Sequence, residues 1–250
     1  MAIFYGSKEH TAKMAELFKN EIEKSVKNSS VIRSINYVPF EDNEVKVDIV
    51  VEDLTTSGAI TKYKDLKNLC ALNFASFLRP GGSFGNVPTH LAQEEYICKD
   101  SVLYNVLKEF QDEYDKNKSM KNRNLYENFA IYSPDVVFVD DSKEEVAKCD
   151  ILTCAAPNAT AASTYGNMSD ESIKETMYDR IDFLLTVAKE KGVKNIILGA
   201  FGCGVFGNDP EFVAKTFKKL LRTKNYGFEK VSFSIPGGSN LKAFKDMFEM

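Results

Sequence analysis

The chain has 250 residues, of which 44% are apolar and 27% charged, and its 32 Lys and Arg against 36 Asp and Glu give a formal net charge of −4. These fractions exclude disorder and collagen-like structure, and the longest uncharged run (151–169) is too rich in Thr, Asn and Ser to span a membrane. The acidic balance argues against a general nucleic-acid grip, while a small anion held by backbone N–H groups stays possible. Five cysteines without a CxxC pair indicate neither a disulfide framework nor a zinc ribbon and fit a reducing cytoplasm. His10 and His90 are the only histidines, which excludes a multi-histidine metal site. Lys8, Glu9 and Lys13 stand among few apolar residues, a pattern unlike a secretory signal.

In chain order, the spacing of Met14, Leu17, Phe18 and Ile22 predicts an amphipathic helix over 10–26. The β-branched runs 31–38 and 45–51 read as strands, 55–66 as a helix and 69–74 as a buried strand. Residues 78–92 are rich in Gly and Pro and form a loop. Cys98, Val102, Val106, Phe110 and Tyr114 at intervals of four predict one long helix over 93–114, followed by a polar surface connection to about 128. Strands are expected at 136–139 and 151–155, separated by an acidic turn. Ser169 can cap a helix with the stripe Ile173, Met177, Ile181, Leu184 and Ala188, ended by Gly192. A strand over 195–200, a helix over 210–221 and a strand over 230–235 complete the pattern. Strands alternating with helices imply an α/β fold around a parallel or mixed sheet covered on both faces. No linker or repeat divides the chain, so a single domain over 1–250 is expected.

In such a sheet the ligand belongs at the carboxyl ends of the strands. Three segments there carry chemistry. The first is Gly202-Cys203-Gly204-Val205-Phe206-Gly207 with Asn208, a glycine loop able to aim N–H groups at an anion, or else a plain tight connection. Its GxGxxG spacing suggests a dinucleotide fold. It stands at residue 202, however, and the next strand ends Ile235-Pro236-Gly237 without an acid, which disfavours a Rossmann oxidoreductase. The second is Gly81-Gly82-Ser83 followed by Gln93-Glu94-Glu95 at a helix start. Glu94 precedes Cys98 by four residues and Glu95 borders the same face, so both carboxylates should turn inward. A helix start merely favouring acids is the plainer reading. The third is Asn73, an amide within a buried strand whose hydrogen bonds must be met by protein or ligand.

Together, Leu72-Asn73-Phe74-Ala75-Ser76, Pro80-Gly81-Gly82-Ser83-Phe84, Gln93-Glu94-Glu95 and Leu103-Tyr104 resemble the microbial-type poly(ADP-ribose) glycohydrolases of the macrodomain superfamily. Val51-Glu52-Asp53-Leu54-Thr55-Thr56, Tyr132-Ser133-Pro134-Asp135-Val136, Ala155-Ala156-Pro157-Asn158 and the segment from Gly199 to Asn208 extend the likeness in the same order. Two departures stand out: Ser83 replaces the third glycine of the signature, and nine residues separate it from Gln93, more than the usual spacer.

The resemblance implies a three-layer α/β/α macrodomain with a mixed central sheet and an N-terminal helical extension. It implies that Glu95 is the general acid/base in hydrolysis of ribose–ribose bonds and that Glu94 holds ribose hydroxyls. ADP-ribose would meet Asn73, Gly81, Gly82, Ser83, Gln93 and the loop Gly202, Cys203, Gly204, Val205, Phe206, Gly207 and Asn208, with Phe206 against the distal ribose. No metal or cofactor is implied, and the partners are ADP-ribose or its polymer on modified macromolecules, without a membrane. Adjacent helical side chains diverge by about 100°, so the two acids are not expected to flank one bond. The alternatives are a macrodomain that binds ADP-ribose without turnover and a hydrolase of another ADP-ribosyl linkage, on protein or nucleic acid.

Overall fold

A computed structural model describes residues 8–84 and 92–249, so positions 85–91 of the expected 78–92 loop lie outside the described residues. Seven strands among them form one mixed sheet: β1 (Ser30–Ile32), β2 (Asp48–Glu52), β3 (Leu69–Phe74), β4 (Ala130–Val139), β5 (Glu145–Cys154), β6 (Asn195–Leu198) and β7 (Lys230–Ser234). Their order is β1-β4-β5-β3-β6-β7-β2. From β5 to β2 every neighbour is parallel, and β4 pairs antiparallel with both β5 and β1.

Alternating side chains of β3 feed two separate cores. Cys70 and Leu72 pack with α8 (Asp170–Glu190) and α9 (Pro210–Thr223), and α10 (Gly238–Phe248) adds Phe244 to that layer. Leu69 and Ala71 pack on the opposite face, with Ala59 and Ile60 of α3 (Thr56–Tyr63) and Ile97 and Cys98 of α4 (Gln93–Lys99). This is the expected three-layer α/β/α arrangement. The caps expected from sequence chemistry occur: Thr55 accepts the Gly58 N–H at 3.1 Å, and Ser169 accepts that of Ser172 at 3.2 Å.

Tertiary contacts redraw several expected elements. The N-terminal helix is kinked at Phe18 (φ −124°, ψ 33°) into α1 (Lys8–Leu17) and α2 (Lys19–Asn28). The strand expected over 31–38 stops at Ile32, because the chain leaves the sheet edge to run over the end of α9. There Phe40 bridges Lys224, and the N–H groups of Glu41 and Val45 donate to Thr223 and Arg222 at 2.8 Å each. The strand expected over 45–51 is Asp48–Glu52.

The single helix expected over 93–114 is broken into α4, α5 (Leu103–Leu107), a 3₁₀ turn and α6 (Gln111–Asn117). At the first break the Val102 N–H donates to Val137 at 3.0 Å and that of Val139 to Asp100 at 2.9 Å, so sheet pairing outcompetes the helix. Nor is 112–128 a solvated connection: Tyr114, Asn117, Leu125 and Tyr126 are buried, and the Asn117 amide donates to the Phe77 carbonyl at 2.9 Å. β4 and β5 are ten residues each rather than short, with a bulge where Asp135 takes φ 55°. Neither α7 (Ala159–Gly166) nor α10 was expected.

Candidate active site

β5, β3 and β6 are adjacent and parallel, so the loops that follow them open at the same end of the sheet. The loops after β3 and β6 carry the two glycine segments singled out in the sequence, and the loop after β5 begins at Ala155 in the segment Ala155-Ala156-Pro157-Asn158. Asn73, near the end of β3, is fully buried on the α4 side, and its amide donates to Glu94 Oε1 at 3.2 Å and Thr153 Oγ1 at 3.3 Å. Gln93 extends the strand with its side chain: Oε1 accepts the Phe74 N–H at 2.8 Å, and Nε2 donates to the Leu72 carbonyl at 2.7 Å and to Thr56 at 3.0 Å. This clamp fixes the first turn of α4 against β3, and with it both acids.

Glu94 is 2% exposed and Glu95 7% exposed. The Ser76 N–H donates to Glu94 Oε2 at 2.7 Å. Burial nevertheless dominates and pushes the Glu94 carboxyl up to about 8. Glu95 reaches the glycine loop: Oε1 accepts the Ser83 N–H at 2.8 Å and Oε2 that of Ala92 at 3.0 Å.

The glycines explain how the loop comes so close. Gly81 and Gly82 have φ of +65° and +61°. A Cβ on Gly82 would lie 2.6 Å from Glu95 Oε1 and 2.8 Å from Glu94 Oε2. The two acids therefore converge on one glycine, against the divergence expected of adjacent helical residues, because both long side chains bend back to the loop. Ser83 is exposed and outside the left-handed region, so its Cβ brings no strain where a third glycine would stand.

In the second glycine loop, Gly202 (φ +74°) has no room for a side chain, since a Cβ would lie 2.6 Å from that of Ala156 and 2.7 Å from Asn208 Nδ2. Gly207 (φ +69°) sits against Thr160. Gly204 is different: it lacks positive φ and a Cβ there would meet nothing within 4 Å, so neither its backbone conformation nor protein packing requires glycine. The N–H groups of Cys203, Gly207 and Asn208 are spent on carbonyls within the loop. Those of Gly204, Val205 and Phe206 donate to no backbone carbonyl among the described residues.

The buried Asn208 amide donates to the Pro157 carbonyl at 2.9 Å and that of Gly202 at 3.0 Å, joining the loops after β5 and β6. Cys203 is half-buried with its thiol pushed up to about 12 by burial, and Val205 is 83% exposed.

Two residues beside these loops were missed. Tyr126 lies in a polar stretch with no periodic signal, yet its ring is centred 4.5 Å from that of Phe77, 12° from parallel, and 6.2 Å from that of Phe206. Arg180 did leave a signal: it falls three residues after Met177 and four before Leu184, a charge on an otherwise apolar stripe.

A mixed sheet between helical layers, with glycine loops and paired carboxylates at the carboxyl ends of three parallel strands, defines a macrodomain-like protein. A family model described as the microbial-type PARG catalytic domain matches residues 3–141, and the chain belongs to that family. It is similar in structure to poly(ADP-ribose) glycohydrolase from Thermomonospora curvata, at 26% identity over 95% of this chain and 97% of that chain, with a TM-score of 0.79. The same figures hold for that enzyme bound to the inhibitor ADP-HPD. The enzyme from Deinococcus radiodurans in complex with ADP-ribose is 29% identical over 91% of this chain and 97% of that chain, with a TM-score of 0.78. No curated protein matches the chain. Among the described residues no helix is long and apolar enough to cross a membrane.

Proposed function

We propose that this chain, acting as a single domain, hydrolyses the ribose–ribose O-glycosidic bonds of poly(ADP-ribose) and releases ADP-ribose, with Glu95 as general acid/base. The observation that carries the assignment of Glu95 is the meeting of Glu94 and Glu95 at Gly82, beside a backbone able to touch a sugar. The N–H groups of Gly204, Val205 and Phe206, together with the open space over Gly204, suit an anionic diphosphate, and we assign the Phe206 ring, which faces Tyr126 across 6.2 Å, to the distal ribose. In the reaction the Glu95 carboxyl gives its proton to the leaving ribose oxygen as the anomeric C–O bond breaks. Water then adds to the oxocarbenium carbon and returns a proton to the Glu95 carboxylate, so the catalyst is regenerated.

The Glu94 carboxyl, held neutral below about pH 8 by burial, can donate as well as accept a hydrogen bond, which suits the role of holding ribose hydroxyls. Its contacts to Asn73 and Ser76 fix it under the ribose hydroxyls. The free thiols, four of them buried, favour a reducing compartment, and we place the protein in the cytoplasm.

The test is release of ADP-ribose from poly(ADP-ribose) by wild type and by Glu95→Gln. The variant is expected to lose at least about 100-fold in turnover with ADP-ribose affinity within a few-fold. A variant that keeps most of the wild-type rate removes Glu95 from the mechanism. Wild type that binds ADP-ribose tightly without release identifies a binding module, and turnover confined to mono-modified substrates identifies a hydrolase of another linkage.

A further inference from the structure

Arg180 is 2% exposed on α8, and no carboxylate pairs with it among the described residues. Its guanidinium instead holds two loops at once. Nε donates to Asn128 Oδ1 at 3.0 Å, Nη2 to the carbonyls of Tyr126 at 2.7 Å and Leu125 at 3.5 Å, and Nη1 to the carbonyl of Ala155. A buried charge is costly, and an apolar side chain would fill the volume without it. What only arginine supplies is a planar fork of donors able to reach carbonyls from separate segments.

Both segments lead to the candidate site. Asn122, Arg123, Asn124 and Tyr126 all have positive φ, a conformation that arginine and tyrosine adopt only when their surroundings impose it. Arg180 grips the carbonyls at the end of that run. The Tyr126 ring it fixes stacks on Phe77, in the loop leading to Gly81 and Gly82, and faces Phe206 across 6.2 Å. On the other side, Ala155 opens the segment whose Ala156 crowds Gly202 and whose Pro157 carbonyl binds Asn208.

We infer that Arg180 is a positioning residue for the hydrolytic reaction: by tying 125–128 to Ala155 it sets the Phe77–Tyr126–Phe206 aromatic wall and, through that wall, the orientation of the distal ribose over Glu95. The inference rests on the function proposed above. It assigns orientation to a residue on the far side of the wall, which no ligand needs to touch.

The experiment compares kcat and KM for ADP-ribose release, ADP-ribose affinity by calorimetry, and near-ultraviolet circular dichroism across four proteins. These are wild type, Arg180→Lys, Phe206→Leu and the double variant. Lysine keeps the charge and loses the fork. The lysine variant is expected to retain the wild-type spectrum and to lose at least about 10-fold in kcat with KM changed less than about 3-fold, since misorientation by even 1 Å is costly in rate. In the Phe206→Leu background the same substitution is expected to cost little more, because both act on one ribose contact.

Unchanged kcat with only a lower melting temperature, or costs that simply multiply in the double variant, overturns the assignment and leaves Arg180 a structural residue. Should Arg180→Lys fail to fold, Asn128→Ala removes one of the four bonds and must show the same kcat-specific loss at smaller size, or the assignment fails. A wild-type protein that releases nothing overturns the functional reading before any variant is compared, and the assignment with it.

Discussion

Glu94 lies between the Asn73 amide and the Ser76 N–H with almost no contact with water, and that isolation has a consequence for stability as well as chemistry. Its carboxyl ionises near 4.5 when free and near 8 in the fold, so the folded state binds more protons than the unfolded state between those values. The stability contributed by the neutral carboxyl is complete below about pH 4.5 and is lost as the pH rises toward 8. Within that window the loss amounts to about 1.4 kcal/mol per pH unit. Glu94→Gln keeps the shape without the ionisation. Its stability relative to wild type, measured by denaturant melts at pH 5 and pH 8, is expected to rise with pH while turnover falls at both. A difference that stays flat would show that Glu94 ionises as an exposed acid does.

At the scale of elements, the loop after β6 divides its glycines between two tasks. Gly202→Ala places a Cβ in the left-handed region and against Ala156, so a destabilisation of about 1–3 kcal/mol is expected in denaturant melts. Gly204→Ala meets no protein atom and is expected to leave stability unchanged while weakening ADP-ribose binding in calorimetry, because the added methyl occupies the space proposed for the diphosphate. If Gly204→Ala binds as wild type does, the loop N–H groups are not the anion site.

The same loops show what a sequence can and cannot disclose. The apolar run marked 69–74 as a buried strand around Asn73, and a four-residue interval placed Glu94 beside Cys98 on the buried side of α4, since both are local patterns. The break at 100–102 and the early end of β1 are set by partners distant in sequence, Val137 and Thr223, which no local window contains. The convergence of Glu94 and Glu95 was hidden for another reason. It depends on side-chain rotamers reaching a loop whose glycines allow contact, and helix geometry alone predicts divergence.

At the scale of the whole molecule, the sheet order sets β3 between β5 and β6, so segments separated by more than a hundred residues share one rim. Asn208 spans two of them and Gln93 secures the third, which makes the rim a largely preformed cradle. A ligand that enters such a cradle and has no affinity for the unfolded chain stabilises by RT ln(1 + [L]/Kd), about 2.7 kcal/mol at one hundred times Kd. For a chain of this length each kcal/mol raises the melting temperature by about 2–4 °C, so saturating ADP-ribose is expected to raise it by about 5–10 °C. NAD presents the same adenosine and diphosphate but carries nicotinamide on the anomeric carbon of the distal ribose. That carbon would lie where Gly82 has no room even for a Cβ beside Glu94 and Glu95, and a ring there must displace the loop or stay outside it. NAD is therefore expected to give a smaller shift at equal concentration in a thermal scan. Equal shifts would mean that the distal ribose is not enclosed by Gly82, and no shift with millimolar ADP-ribose would remove the diphosphate from the loop after β6.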